Sequence, residues 1–257
     1  MLIPLKDIAE TGKVIVAAHR GSSGTSPENT MAAFKEALSF GVDMLETDIQ
    51  ITNDGYFVAF HDYSLKRTVK NKSKDKIDFT YNNIKNLDVG SWFDPKFSGE
   101  RIPLLTEVFE LIKDRAYLSI EIKHLHSNPE LYLKKLLDLI YENNMEESVI
   151  LASFHYSYLK HIRSADNKIP LAAIKIPLDF RLPSSISNKY KSQAYICSSK
   201  ELSNRLVSNT KENKIFLGVY GIDSIESLHK AMNYEVNAIG TNYPEMIISE
   251  LKNQNLK

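Results

Sequence analysis

The feature that most constrains the fold of this chain is a regular alternation of short apolar runs and amphipathic segments. The apolar runs are short and rich in β-branched residues, which is typical of buried strands, and the segments between them have helical spacing. Eight runs fit the strand pattern: residues 14–18, 44–51, 117–122, 149–154, 171–174, 194–197, 215–219 and 238–240. Eight strands alternating with helices predict an α/β fold of the TIM (β/α)8 barrel type. A doubly wound open sheet is the alternative.

Two intervals depart from this alternation. Residues 177–192 are polar and broken by Pro177 and Pro183, and no helix is predicted there. After the second strand, a short strand over residues 56–61 precedes residues 62–103, which have no clear period and exceed an ordinary loop. We therefore expect one barrel domain over residues 1–257, with residues 62–103 forming a small insertion after the second strand.

The composition argues against several classes of protein. Basic and acidic residues both number 32, which disfavours nucleic acid as the main partner because phosphate backbones require a basic surplus. No apolar run approaches the length of a membrane span. Cys197 is the only cysteine and lies in an apolar run, so we expect a buried structural thiol. The polar start of the chain does not resemble a secretion signal, and we expect a cytoplasmic location. The oligomeric state is left open.

Two carboxylates on the second strand indicate a polar site. Glu46 and Asp48 lie two residues apart, so both side chains point to the same face of the strand. That face cannot lie in a dry core, because like charges there would repel each other and lose their hydration. We therefore expect the two carboxylates to face the mouth of the barrel. Glu121 and Lys123 repeat the spacing on a later strand. The three carboxylates can converge on a hard divalent cation. The alternative is a salt-bridge network with Lys123 and no metal.

Two histidines follow apolar strands in the same manner. His19 follows the first strand and His61 follows residues 57–60, so the two can face each other across the barrel mouth. Two imidazoles beside a metal suit acid–base chemistry, because their unperturbed pKa lies near neutrality. Arg20 and Lys123 add fixed positive charge suited to a phosphate group.

Together these motifs are more specific than any one of them. In chain order they are His19-Arg20-Gly21, Pro27-Glu28-Asn29-Thr30, Glu46-Thr47-Asp48, His61-Asp62 and Glu121-Ile122-Lys123. The series resembles the glycerophosphodiester phosphodiesterase family over nearly the whole chain, most strongly from His19 to Lys123. The resemblance implies a TIM barrel with a small insertion after the second strand. It also implies Mg²⁺ or Ca²⁺ on Glu46, Asp48 and Glu121, a catalytic pair of His19 and His61, and phosphate contacts from Arg20 and Lys123.

The resemblance further implies hydrolysis of a glycerophosphodiester to glycerol 3-phosphate and an alcohol, through a cyclic phosphate or by direct attack of water. We assign His19 as the base and His61 as the acid. The chain departs from the family pattern at Tyr220, where a Trp-Thr motif is usual, and at Asn242, where the pattern has Asp. Tyr220 keeps an aromatic wall for the substrate. Alternatives are a related phosphodiesterase acting on lysophospholipids or glycerol phosphate polymers, and a non-catalytic phosphate-binding protein.

Overall fold

A computed structural model of the protein describes residues 12–69, 79–123, 125 and 128–254. Its strands are β1 Ile15–His19, β2 Met44–Ile51, β3 Phe57–Ala59, β4 Tyr117–Ile122, β5 Val149–Ser153, β6 Leu171–Ile174, β7 Ala194–Ser198, β8 Phe216–Tyr220 and β9 Ala238–Thr241. Apart from β3, they pair in parallel in the order β1-β2-β4-β5-β6-β7-β8-β9, and β9 pairs with β1. This pairing closes an eight-stranded parallel barrel, which confirms the TIM barrel prediction over the open sheet.

Helices alternate with the barrel strands as predicted. They are α1 Met31–Ser39, α2 Tyr81–Ile84, α3 Leu105–Ile112, α4 Pro129–Glu142, α5 Tyr156–Ala165, α6 Pro183–Tyr190, α7 Asn204–Glu212, α8 Ile225–Met232 and α9 Pro244–Asn253. Helix α6 lies within residues 177–192, where the sequence pattern predicted no helix. Pro183 is compatible with it because it lies at the start of the helix, where the missing N–H has no intrahelical partner to lose. Within the described residues, every helix is too short or too polar to cross a membrane.

Side-chain alternation along the strands determines which residues reach the barrel interior. Ile15 of β1 and Met44 of β2 belong to a small cluster within the barrel, while their chain neighbours Val16 and Leu45 pack in the large core between barrel and helices. Because successive side chains point to opposite faces, the inward series continues along each strand. It reaches His19 on β1 and Glu46 and Asp48 on β2.

A hairpin of β2 and β3 precedes the insertion, and residues 70–78 of the insertion lie outside the described part of the chain. Strand β3 pairs antiparallel with the end of β2, which extends beyond the barrel ladder. The segment that follows contains α2 and a 3-10 turn over Pro95–Phe97. Together with Val58 and Phe60 of the hairpin, this segment forms a small apolar core that includes Val69, Ile84, Leu87, Val89 and Ile102. The insertion therefore packs as a separate layer beside the mouth of the barrel, next to His61.

Candidate active site

The turn after β1 places the first histidine and arginine at the carboxyl end of the barrel. Gly21 has a φ of 80°, and a Cβ on it would lie 2.6 Å from the backbone of Ala33, so only glycine fits. Thr30 caps α1 by accepting a hydrogen bond from the Ala33 N–H. Arg20 also has a positive φ, of 58°. Its backbone N–H donates to Glu46 at 2.9 Å, which fixes the turn against β2.

Three carboxylates converge beside this turn. One oxygen from each of Glu46, Asp48 and Glu121 lies within 4.8 Å of the other two, and Asp48 is opposite Glu121 in the β2–β4 register. Two oxygens on one Mg²⁺ or Ca²⁺, at metal–oxygen distances of about 2.1–2.4 Å, can be at most about 4.2–4.8 Å apart. Three hard oxygen donors at this spacing therefore fit a divalent cation.

The surroundings of Glu46 and Glu121 disfavour their ionised forms. Burial, followed by repulsion from Asp48 and Glu121, raises the pKa of Glu46 well above its usual range. Burial and repulsion from Asp48 also raise the pKa of Glu121. Burial alone would raise the pKa of Asp48, but the charges of Arg20 and Lys123 outweigh it and lower that pKa to about 2. A cation at the cluster would relieve this repulsion.

Asp48 is the hub of the ion pairs in the site, and its side chain is fully buried. Its Oδ2 lies 2.9 Å from Arg20 Nε, and its Oδ1 lies 2.9 Å from Lys123 Nζ. Asn29 donates to Oδ2 at 2.9 Å, and Lys123 also pairs with Glu121. The salt-bridge network that was the alternative to a metal is thus present. It sets two cations against three carboxylates, so these five side chains carry an excess of one negative charge when all three acids are ionised.

His19 lies between this cluster and the loop after β9. Its Nδ1 is 2.8 Å from Oδ1 of Asn242, and its Nε2 is 4.0 Å from a carboxylate oxygen of Glu46. Burial and the charge of Arg20 lower the pKa of His19, although the hydrogen bond to Asn242 acts in the opposite direction. The neutral imidazole is therefore favoured, and this is the form that can accept a proton.

His61 has a different partner. Its Nδ1 is 2.7 Å from a carboxylate oxygen of Asp62. Arg67 donates to both oxygens of Asp62 and to both oxygens of Glu28, and Glu28 also accepts from Arg20. A series of alternating charges thus connects the insertion to the turn after β1. His61 is oriented by Asp62, which Arg67 of the insertion holds in place.

Tyr220 lies across the barrel mouth from the carboxylates, since β8 is four strands from β4 in the barrel order. It packs with Phe154 and Ile196 over small residues of the barrel interior. A Cβ on the adjacent Gly240 would lie 3.2 Å from the Tyr220 Cβ, so the glycine leaves room for the ring. The mouth therefore has its carboxylate cluster on the side made by β1, β2 and β4, and on the other side Tyr220 lies near Ser198 and Glu201, which pairs with Lys175.

Two residues near His19 were not predicted as site residues from the sequence. In the sequence, Asn242 was noted only because the family pattern has Asp at that position, and nothing in the sequence pointed to Asp223. The backbone N–H and the side-chain Nδ2 of Asn242 donate to the two oxygens of Asp223 at 2.7 and 2.8 Å. Both residues follow barrel strands, where barrel active sites are built, and that position is the signal that points to them.

A cavity of about 720 Å³ lies at the opposite end of the barrel, and its lining includes Ile15, Met44, Gln193 and Phe216. These residues stand at or near the amino ends of strands. The predicted histidines, carboxylates and cations all lie at the carboxyl end instead. We therefore identify the candidate active site from its chemistry and not from cavity size.

Comparison with known proteins finds relatives along nearly the whole chain. The sequence profile of the glycerophosphoryl diester phosphodiesterase family matches residues 19–246. A glycerophosphodiester phosphodiesterase of Caldanaerobacter subterraneus subsp. tengcongensis is 39% identical over 244 residues, covering 92% of this chain and 97% of that protein. Human Lysophospholipase D GDPD1 is 34% identical over 160 residues, covering 60% of this chain and 49% of that protein.

Solved structures share the fold. An Oleispira antarctica phosphodiesterase, determined in complex with the product sn-glycerol-3-phosphate, superposes with a TM-score of 0.86. It is 24% identical in sequence, and the match covers 95% of this chain and 99% of that one. At this level of identity the likeness supports the barrel architecture.

Proposed function

Because this chain belongs to the glycerophosphoryl diester phosphodiesterase family and is a phosphoric diester hydrolase, we propose that it converts glycerophosphodiesters to sn-glycerol 3-phosphate and an alcohol with a divalent cation. The observation that carries the proposal is the meeting of three carboxylates, two cations and two histidines at one edge of the barrel.

The charge balance of the site supports a requirement for the cation. When Glu46, Asp48 and Glu121 are all ionised, the two basic side chains neutralise only part of their charge, so this cluster alone repels a phosphodiester anion. A divalent cation held by the three carboxylates supplies the positive charge that attracts the diester and stabilises charge growing on its phosphoryl oxygens. The same donor set accommodates Mg²⁺ and Ca²⁺, and we leave the choice to experiment.

The partners of the two histidines support different roles for them. His19 faces a neutral amide, and its lowered pKa keeps the ring ready to accept a proton through Nε2. His61 faces the carboxylate of Asp62, which compensates the charge of an imidazolium. We assign His19 as the general base that deprotonates the nucleophile. His61 is the general acid that protonates the departing alkoxide.

Arg20 and Lys123 are proposed to bind the phosphate. In the free protein both pair with Asp48, which is buried and holds their charged ends at the mouth. The guanidinium of Arg20 can present two donors to phosphate oxygens, whereas Lys123 provides a point charge. Tyr220 provides the aromatic wall for the glycerol or the alcohol on the opposite side.

The nucleophile is proposed to be the glycerol hydroxyl next to the phosphate, which gives a cyclic phosphate that water then opens. The test is a matched diester in which that hydroxyl is replaced by hydrogen. Internal attack predicts that the analogue is bound but not turned over. Turnover of the analogue at a rate near that of the parent diester would establish direct attack by water instead.

The proposed activity is tested with the purified full chain and glycerophosphocholine, with release of sn-glycerol 3-phosphate as the readout. We expect activity to vanish in chelator and to return with Mg²⁺ or Ca²⁺. Glu121→Gln should raise the metal concentration needed for half-maximal activity, whereas Glu130→Gln, at a side chain that is 74% exposed, should not. Absence of product from glycerophosphocholine, glycerophosphoethanolamine and glycerophosphoglycerol at every metal concentration would refute the proposal.

A second candidate substrate class is the lysophospholipids. The loop between β6 and α6 exposes 83% of Leu178 and 80% of Phe180, and such apolar side chains can contact an acyl chain. The human relative with lysophospholipase D activity in its name gives independent support. If this class is the substrate, lysophosphatidylcholine should be hydrolysed at least as efficiently as glycerophosphocholine. Phe180→Ser should then reduce only the reaction of the lysophospholipid.

A further inference from the structure

We infer that Asp223 and Asn242 are positioning residues which lock His19 in the tautomer with a proton on Nδ1 and a lone pair on Nε2. This inference rests on the proposed role of His19 as general base. It concerns hydrogen-bond direction, which follows from the contacts around the Asn242 amide.

The amide of Asn242 can be placed in two orientations, and Asp223 selects one. Nδ2 of Asn242 is 2.8 Å from Oδ2 of Asp223, while the Asn242 backbone N–H donates to Oδ1. A carboxylate only accepts hydrogen bonds, so the NH₂ group must face it. The reverse orientation would place the amide oxygen against a charged acceptor and forfeit a charge-assisted hydrogen bond.

The neighbouring serine does not make this selection. Ser23 Oγ lies 2.7 Å from the His19 carbonyl oxygen and 2.7 Å from Asn242 Oδ1. Its single proton can serve only one of these two acceptors, so on its own Ser23 favours the reverse orientation, in which it donates to the carbonyl and accepts from the amide NH₂. The hydrogen bond from Nδ2 to the charged Asp223 outweighs this preference, because a hydrogen bond to an ionised group is roughly twice as strong as a neutral one. Asp223 is therefore the residue on which the orientation depends.

The orientation of the amide decides the tautomer of the histidine. With Nδ2 held by Asp223, Asn242 presents its oxygen to His19 Nδ1 at 2.8 Å. An oxygen acceptor requires the proton on Nδ1, and the neutral ring then has its lone pair on Nε2. Nε2 is the atom that faces Glu46, at 4.0 Å, and thus the carboxylate cluster. The lone pair is thereby directed at the place where a nucleophile is deprotonated.

The Asp223→Asn substitution tests the role of the carboxylate, because it replaces one oxygen by NH₂ without changing the size of the side chain. The introduced amide can keep its oxygen toward the Asn242 backbone N–H, and it then presents NH₂ where Asp223 presents Oδ2. Asn242 must turn its oxygen toward that donor, and its own NH₂ toward His19 Nδ1. We expect His19 to carry its proton on Nε2 in this variant, which removes the lone pair that faces the cluster.

The double variant D223N/N242D restores the original hydrogen-bond directions. The amide introduced at position 223 donates to one oxygen of the carboxylate introduced at position 242, and the other oxygen accepts from His19 Nδ1. A purely structural role for these residues predicts no such recovery. The pair of variants therefore separates positioning of the histidine from general support of the loops after β8 and β9.

The readout is ¹⁵N-detected histidine NMR of the uniformly labelled full chain in chelator, at a pH where the ring is neutral. The signals of His19 are assigned by their loss in His19→Gln. We expect the Nδ1–H tautomer in the wild type and in D223N/N242D, and the Nε2–H tautomer in D223N. With glycerophosphocholine, kcat should fall by about 10²-fold or more in D223N with KM nearly unchanged, and return to within about tenfold of the wild type in the double variant.

An Nε2–H tautomer in the wild type, or an unchanged tautomer in D223N, would overturn the inference. Loss of thermal stability in D223N with the Nδ1–H form intact would also overturn it. Because the NMR readout needs no turnover, it decides the tautomer even if the protein hydrolyses none of the glycerophosphodiesters. Failure of the proposed function and failure of this inference are thus distinguishable.

Discussion

The two carboxylates of β2 are predicted to affect the stability of the metal-free protein in opposite directions. Asp48→Asn removes a buried charge that lies 2.9 Å from both Arg20 Nε and Lys123 Nζ. Glu46→Gln removes a partly buried charge whose ionisation is opposed by desolvation, by Asp48 and by Glu121. The introduced glutamine retains an oxygen that can accept the Arg20 N–H. Asn is nearly isosteric with Asp, and Gln with Glu, so the change in stability of each variant reports on the loss of charge.

The size of the Asp48 effect follows from its pKa. The value drops from an ordinary 3.8 to about 2, and each pKa unit corresponds to about 1.4 kcal/mol, so ionised Asp48 contributes roughly 2 kcal/mol. For a chain of this size, that loss corresponds to a decrease in Tm of about 4–8 °C. The contribution is present above the ordinary pKa and is lost as the pH falls through 2. Asp48→Asn should therefore be destabilising at neutral pH.

Glu46→Gln should instead stabilise the metal-free protein at neutral pH. Because the pKa of Glu46 is raised in the folded state, folding opposes its ionisation, and this penalty develops as the pH rises above the ordinary value of 4.5. The gain from Glu46→Gln should accordingly vanish below that pH. In saturating Mg²⁺ or Ca²⁺ the wild type should be more stable than both variants, because it gains the free energy of binding the cation and each variant loses a ligand.

The assay is urea denaturation followed by circular dichroism, in chelator and in saturating cation. Asp138→Asn is a matched control, since Asp138 forms an exposed pair with Lys134 at 2.8 Å and should change stability by less than about 1 kcal/mol. The reasoning would be refuted if Asp48→Asn and Glu46→Gln shifted the free energy of unfolding in the same direction in chelator.

Three further predictions concern other parts of the molecule. His19→Ala and His61→Ala should each lower kcat by about 10²–10⁴-fold with circular dichroism unchanged, and near-normal turnover of either variant would exclude its acid–base role. Arg67→Met removes the link between Asp62 and Glu28, so kcat should fall at least about tenfold. Calorimetry should show unchanged affinity for the cation, and weaker cation binding would contradict the view that Arg67 acts on His61 and not on the metal site. Burial raises the pKa of the Cys197 thiol to about 12, so the folded protein should not react with a disulfide reagent at pH 8 and should react once unfolded in guanidinium.

Local sequence patterns were sufficient for the barrel and for the carboxylates. The alternation of strands and helices needs only short-range periodicity, and period-two spacing places Glu46 and Asp48 on one face. Glu121 joins them because neighbouring parallel strands run side by side, with Asp48 opposite Glu121. The histidines could be placed at the mouth because each follows a strand that ends there.

The contacts that orient the histidines could not be obtained in the same way. His19 meets Asn242 across 223 residues of sequence, and this contact exists only because β9 closes the barrel against β1. Asp223 reaches Asn242 through the adjacent end of β8. Local sequence periodicity cannot predict such a contact, because closure of the barrel depends on the combined geometry of all eight strands. The insertion is similar, because Arg67 joins Asp62 to Glu28 through packing that its irregular sequence does not reveal.

The most direct test of the account is anomalous diffraction from crystals of the protein soaked in Mn²⁺, which accepts the same oxygen ligands as Mg²⁺. We predict one strong anomalous peak within about 2.0–2.4 Å of oxygens from Glu46, Asp48 and Glu121. The peak should be absent in crystals of Glu121→Gln soaked in the same way. A peak elsewhere, or no peak at a Mn²⁺ concentration that restores activity in solution, would contradict the central claim that this carboxylate cluster holds the cation.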